Sequence, residues 1–166
     1  MILNHKSVLD YILRHPQYLR EYTEDKIVHL HAILVAQLDI ATEWRNHPVG
    51  IGGTLYRPIP KRSGIACAMQ RLEALLKHQS NPYEKAFLAW IMIAYIQPFE
   101  DGNKRTSRIV SNALLYAHGC AMLSYRDVAV HEYKKAVILF YEQNNVSYLK
   151  HIFIQQFLFS TKTYFQ

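Results

Sequence analysis

The sequence predicts an all-α fold, a helical bundle around two central helices with one small β-hairpin flap. Three observations lead there. Apolar residues recur at steps of three and four through most of the chain, the period of a core-facing helical stripe. One segment, Pro82 to Ile96, is apolar almost all round, which puts a helix in the middle of its domain. Only one stretch, Val49 to Tyr56, sets β-branched and aromatic residues among glycines, with Pro48, Pro58 and Pro60 bracketing it. At 166 residues the chain is of single-domain length and can bury a real core. Half of its residues are apolar and 13% are aromatic, which excludes a disordered chain.

Taken in order, residues 6–14 give a short first helix ended near His15-Pro16. A longer helix is expected from about Asp25 to Glu43, with Ile27, Leu30, Leu34 and Leu38 on its buried stripe. His29 and His31 are two apart, so they face different sides of it and cannot share a metal. Gly50, Ile51, Gly52, Gly53, Thr54, Leu55 and Tyr56 then form the flap. A two-stranded hairpin is not stable alone, so it must lie on the helical body, and its free edge could receive a peptide strand. A helix from about Gly64 to His78 buries Ile65, Met69, Leu72, Leu75 and Leu76.

Asn81, Pro82 and Glu84 supply the cap, first position and third position of the apolar helix. Pro98 ends it, because the residue before a proline is pushed out of helical conformation. A second central helix runs from about Asn103 to His118, with Ile109, Val110, Ala113, Leu114 and Ala117 inward and Gly119 at its end. Ser124, with Asp127 three residues on, starts a helix to about Gln143. The last helix covers roughly Ser147 to Phe159, followed by an aromatic end to Phe165.

The net charge of +6 favours anionic partners, but the 19 Lys and Arg residues are scattered, and no nucleic-acid-binding pattern is visible. Cys67 and Cys120 have neither zinc spacing nor a disulfide framework, and read as buried thiols of a reducing compartment. No signal-peptide core is seen at the N-terminus, and the longest apolar run, Ala86 to Ile96, is too short to span a bilayer. These features give the expectation of a soluble, cytoplasmic protein with no membrane partner.

The chemistry concentrates in the twelve residues from Gln97 to Arg108, which join the two central helices. They hold two carboxylates, a Gly-Asn turn and three cations. A glycine permits a tight turn, and the first N–H groups of the next helix then point at an anion. Asp101 beside such a site suggests Mg²⁺ between carboxylate and phosphate oxygens, although a capping role at the helix N-terminus is equally natural. Arg105 and Arg108 share one helix face, where anionic ligand oxygens or the loop carboxylates would compensate them. Phe99, between polar neighbours, packs into the core as an anchor.

This stretch resembles the motif of the Fic (Fido) family, His-x-Phe-x-(Asp/Glu)-Gly-Asn-Gly-Arg-x-x-Arg. Phe99, Asp101, Gly102, Asn103, Arg105 and Arg108 match it. The helix around Leu30 to Leu34, the flap glycines and the apolar helix before the motif fall in the family's order, so the likeness covers about residues 20–160 of one Fic-type domain. It implies transfer of AMP from ATP to a hydroxyl of a target protein. By that likeness Asp101 would bind Mg²⁺, Gly102, Asn103, Arg105 and Arg108 would bind the phosphates, and Gly50 to Tyr56 would dock the target.

Two departures matter. The family's catalytic His is Gln97, whose neutral amide cannot act as general base. His47, just before the flap, is the one other histidine placed to substitute. The second motif Gly is Lys104, which could bind a terminal phosphate or crowd it. The Asn-Lys-Arg run also resembles the Doc branch, which phosphorylates its target. A third reading is a non-catalytic nucleotide-binding or protein-binding module. The family's inhibitory pattern, (Ser/Thr)-x-x-x-Glu-(Gly/Asn), finds no full match; Ser80 to Glu84 comes nearest, with Lys85 in its last place. Inhibition, if any, would then come from an antitoxin-like partner in trans.

Overall fold

Seven helices form among the residues described by the computed structural model of the chain, 2–125 and 128–164. They are α1 (Ile2–Arg14), α2 (Glu24–Leu34), α3 (Arg62–His78), α4 (Pro82–Ile96), α5 (Asn103–Ala117), α6 (Val130–Gln143) and α7 (Ser147–Tyr164). The all-α class expected from the periodicity is what forms. The chain divides into two compact units. One comprises Met1–Val49 and Pro58–Cys120, and the other Gly50–Arg57 and Ala121–Gln166.

The first unit is built on α4 and α5, which pack along each other. α4 buries Ala86, Ala89, Trp90, Ile91, Ile93, Ala94 and Ile96. On α5, Ile109, Val110, Ala113, Leu114 and Ala117 all face inward, as their spacing requires. Around this pair α3 packs on α4, and α1 and α2 pack on α5. The start of α4 is fixed by its cap: Asn81 Oδ1 accepts the N–H groups of Tyr83 at 2.9 Å and Glu84 at 3.4 Å. Glu84 is itself held by Gln79 Nε2 at 2.7 Å, so the Ser80 to Glu84 stretch serves this helix start.

Several boundaries differ from those expected. α2 stops at Leu34 instead of continuing to Glu43, although Leu38 keeps the apolar period. Gln37 turns left-handed, with φ +61°, and α1 intervenes at the helix end. Asn4 Nδ2 donates to Leu34 O at 3.0 Å and Ala36 O at 2.8 Å, taking carbonyls that a longer helix would have used itself. On α3, Leu75 is exposed, and Cys67 is exposed rather than buried. Cys67 lies two residues from both Ile65 and Met69, on the face opposite the stripe. Cys120 is half-buried.

In the second unit α6 packs on α7, with Ala136, Val137, Phe140, Tyr141, Leu149, Ile152 and Phe153 as its interior. α6 begins at Val130, later than the Ser124 start expected. The backbone turns left-handed at Tyr125, with φ +54°, which interrupts any helix begun there. Asp127 and Phe165 lie outside the described residues. α7 runs past Phe159 to Tyr164, so most of the aromatic tail is helical.

Replacing Asn81 by Ala removes both cap bonds of α4 while leaving Pro82 in place. It is expected to lower stability by about 1 kcal/mol. In urea denaturation the midpoint should fall with the slope unchanged.

Candidate active site

The motif loop is a tight connection, and its shape is set by backbone bonds that side chains intercept. Gln97 caps α4 in left-handed conformation, with φ +52° and ψ +59°. Pro98 rules out continued right-handed helix at this residue. The Gln97 side chain is buried, and its Nε2 donates to Ala94 O at 2.5 Å. Its amide thus turns back on the helix it ends. Its carbonyl accepts from Arg45 Nε at 2.7 Å, and Arg45 N–H donates to Pro98 O at 2.9 Å.

Phe99 is fully buried and stacks on His31 of α2, with centroids 3.5 Å apart and planes at 12°. Trp44 covers it, at 4.9 Å between centroids. Asn103 then closes the loop. Its Oδ1 accepts the Phe99 N–H and its Nδ2 donates to Phe99 O, both at 2.8 Å. Its side chain is therefore spent on the loop, which leaves its backbone N–H as the group it can offer an anion. The α5 ladder begins with the N–H groups of Arg105 and Thr106 bonding to Gly102 O, at 3.0 and 2.8 Å. The N–H groups of Asn103 and Lys104 lie ahead of that ladder, at the positive end of the helix.

Gly102 has φ +76°, and a Cβ there would come 3.3 Å from His31 Cε1. Glycine is needed for the conformation and for the space. Asp101 is mostly exposed. Its Oδ1 accepts the Gly102 N–H at 2.6 Å, and its Oδ2 lies 3.7 Å from an Arg105 nitrogen. Lys104 is exposed at the first turn; Arg105 and Arg108 are half-buried. His47 Nε2 is 3.8 Å from Glu100 Oε1, with both side chains about half exposed.

His31 and Arg45 also meet the loop, although no motif pattern marks them. His31 is fully buried, with Nδ1 3.0 Å from Thr106 Oγ1. Burial holds its pKa down at about 4, against smaller opposing effects of the Ala41 backbone and Asp101. It is a neutral packing group at pH 7. His29, on another face, meets the Tyr18 hydroxyl at 2.7 Å. Arg45 is 3% exposed, a rare burial for a cation and its one distinguishing mark. Its Nη1 donates to His47 O at 2.6 Å and its Nη2 to Ile59 O at 2.7 Å.

The flap segment does not form the expected hairpin: among the described residues it carries no strand ladder. It turns at Gly52-Gly53, with Gly53 at φ +83°, and its donors go elsewhere. Glu142 Oε1 of α6 accepts from Thr54 Oγ1 at 2.7 Å and Leu55 N–H at 3.0 Å. These bonds, the Leu55 N–H first, hold the Glu142 carboxyl below its usual range. An N–H spent on a carboxylate cannot pair with an opposite arm, and Pro58 and Pro60 offer none. Tyr56 rests on Tyr141, 5.2 Å between centroids, and Leu55 is 85% exposed.

With this geometry in view, the chain can be set beside known proteins. Residues 7–115 match the family model described as Fic/DOC family, well over half of the chain. The chain belongs to the Fic/DOC family. It is 36% identical over 105 residues to a Drosophila virilis protein named Protein adenylyltransferase Fic, a match covering 60% of this chain and 21% of that one. The chain thus spans about a fifth of the length of the curated relatives it matches. Among solved structures, BepC from Bartonella tribocorum with bound AMPPNP aligns at a TM-score of 0.69 and 15% identity, over 92% of this chain and 85% of that one. IbpAFic2 in complex with adenylylated Cdc42 aligns at 0.69 and 14% identity, over 93% of this chain and 53% of that one. These structural likenesses establish the Fic fold. No helix among the described residues is long and apolar enough to cross a membrane.

Two outcomes follow from the site's packing. The unfolded chain protonates His31 near 6.5, whereas the folded one resists until about 4. Stability from this residue is therefore lost as pH falls from about 7 to about 4. A His31→Phe variant, which keeps the stack on Phe99, should show a shallower decline in urea midpoint between pH 7 and 5 than the wild type. Separately, Glu142→Ala frees Thr54 and Leu55. Limited proteolysis should then cleave within residues 50–57 several-fold faster, with the rest of the chain intact.

Proposed function

We propose that the chain is a Fic-type protein adenylyltransferase, binding ATP with Mg²⁺ at the 97–108 loop, whose transfer of AMP to a target hydroxyl is impaired. The observation that carries this reading is the placement of Gln97. The loop around it is fully assembled, yet the side chain at the reacting position is a buried amide that donates to Ala94 O. Such an amide cannot accept and hold a hydroxyl proton at pH 7. Without a general base a rate falls by about 10²–10⁴.

The binding half of the reading has separate support. The N-terminus of α5 begins with N–H groups outside its own ladder, beside Lys104, Arg105 and Arg108. Gly102, at φ +76° and against His31, lets the chain turn tightly into that helix end. Phosphates suit such a helix end. Asp101 fits Mg²⁺ bound through one carboxylate and phosphate oxygens, because it is mostly exposed and its Oδ2 stands 3.7 Å from Arg105. Among the described residues no cluster of three His, Cys, Asp or Glu could hold a metal by itself, and Mg²⁺ usually keeps water and phosphate oxygens among its ligands. A Mg²⁺ ion there would neutralise phosphate charge. Gly50 to Tyr56, with Leu55 exposed, is the segment proposed to dock the target protein.

The test uses ATP labelled at the α- or the γ-phosphate, a lysate, Mg²⁺, and both the wild type and a Gln97→His variant. Protein-bound α-label should appear with the variant at least a hundredfold above the wild type, about the value of a restored base. Equal α-labelling by both would show that position 97 does not limit transfer. Labelling from the γ-phosphate would make the chain a Doc-like phosphotransferase using Lys104. If calorimetry found no ATP binding, the nucleotide reading itself would be wrong.

A further inference from the structure

The turn between α1 and α2 walls a cavity that shares no residue with the motif loop. The cavity holds about 370 Å³ and is bounded by residues 20–23 of that turn, by Leu76 and Lys77 in the last turn of α3, and by Lys85 at the start of α4. All of these lie within the first compact unit. A space of that size suits a small ligand.

Its walls are cationic. Arg20, Lys77 and Lys85 line it, and among the lining residues only Glu21 is acidic. Two of the cations also serve the fold. Arg20 Nη1 donates to Ala117 O at 3.1 Å. Lys77 Nζ donates to Glu73 Oε1 at 2.6 Å, while Glu73 Oε2 accepts the Glu24 N–H at 3.1 Å, so both oxygens of that carboxylate are engaged. Lys26 Nζ stands close by as well, donating to Glu21 O at 2.8 Å. Lys85 is half-buried, and its ammonium has no ion-pair partner among the described residues. A concave surface with an excess of one sign of charge concentrates ligands of the other.

Two hydroxyls join these cations. Tyr22 lines the cavity but is only 3% exposed, and its hydroxyl has no hydrogen-bond partner. Native proteins keep few such groups, because a buried donor without an acceptor is costly. Burial, and then the charges of Glu24 and Glu73, push its pKa up, so it stays a donor at any working pH. Neither of those two acids lines the cavity. Thr23 is the cap residue of α2 but makes no side-chain cap bond, so its hydroxyl is not engaged by that helix. Cations joined by hydroxyl donors match the several acceptor oxygens of a phosphate group. The Tyr22 ring and the buried Leu76 add an apolar wall, which a bare inorganic ion would not use.

We propose that this cavity binds a small phosphate monoester, with Arg20, Lys85 and the Tyr22 hydroxyl directed to the phosphate and the organic part lying against Leu76. The proposal goes beyond the nucleotide reading of the 97–108 loop and stands independently of it.

Amide NMR spectra of the protein, titrated with phenyl phosphate at an ionic strength held constant with chloride, test this. The wild type should show saturable shifts at Glu21 to Glu24, Lys77 and Lys85, whatever the motif loop does. Tyr22→Phe removes one oxygen and no bond of the fold, and Lys85→Gln removes one charge. Each variant should keep the wild-type spectrum away from the cavity and bind phenyl phosphate about tenfold more weakly. Inorganic phosphate should bind several-fold more weakly than phenyl phosphate to the wild type. Equal or tighter binding of the free ion would overturn the assignment to an ester. The absence of saturable shifts at these residues would overturn the site, as would wild-type affinity in both variants.

Discussion

One buried guanidinium organises the surroundings of the motif loop. Arg45 donates to three carbonyls: that of Gln97, where the loop begins, and those of His47 and Ile59, on either side of the flap segment in the chain. Its backbone adds a bond to Pro98 O. A buried cation is costly unless every donor is satisfied, and each carbonyl bond here is charge-assisted. The guanidinium is planar and presents its N–H groups in a fixed fork, so lysine could not hold the three acceptors in the same relation. The path of the chain before and after the flap is thereby tied to the residue at which the motif starts.

The loop's interior follows the same logic of intercepted backbone bonds. Asn103 holds both polar groups of Phe99, Asp101 holds the Gly102 N–H, and Gln97 holds Ala94 O. Motif residues that look from their type like ligand-binding groups are in large part scaffold here. What they leave is a helix N-terminus with cations on its first two turns. The capacity of this helix end to meet an anion would therefore be a property of backbone direction and helix packing more than of any one side chain. At position 97 the side chain serves the same scaffold, since its amide donates to Ala94 O.

Much of this was legible beforehand where the signal is local. The Asn81-Pro82-Glu84 start, the all-round apolar α4, the inward face of α5 and the glycine at 102 are each fixed by residues within a turn or two. Expectation and structure part where a distant group intervenes. Leu38 continues the apolar period, but Asn4 ends α2 before it is reached. The flap glycines and β-branched residues suggest a hairpin, but Glu142, nearly ninety positions away, takes the Leu55 N–H. Cys67 lies within an apolar helix yet on its outer side.

The sequence by itself determined the helical class, the order of most elements, the family, and the absence of a histidine at position 97, because periodicity, caps and a linear motif are local patterns. The tertiary structure decided which polar groups remain for a ligand. That depends on contacts between residues far apart in the chain: Arg45 with Gln97 and Ile59, and His31 with Phe99 and Thr106. A side chain's chemistry can be read from its letter, but its availability depends on what its partners in space have already taken.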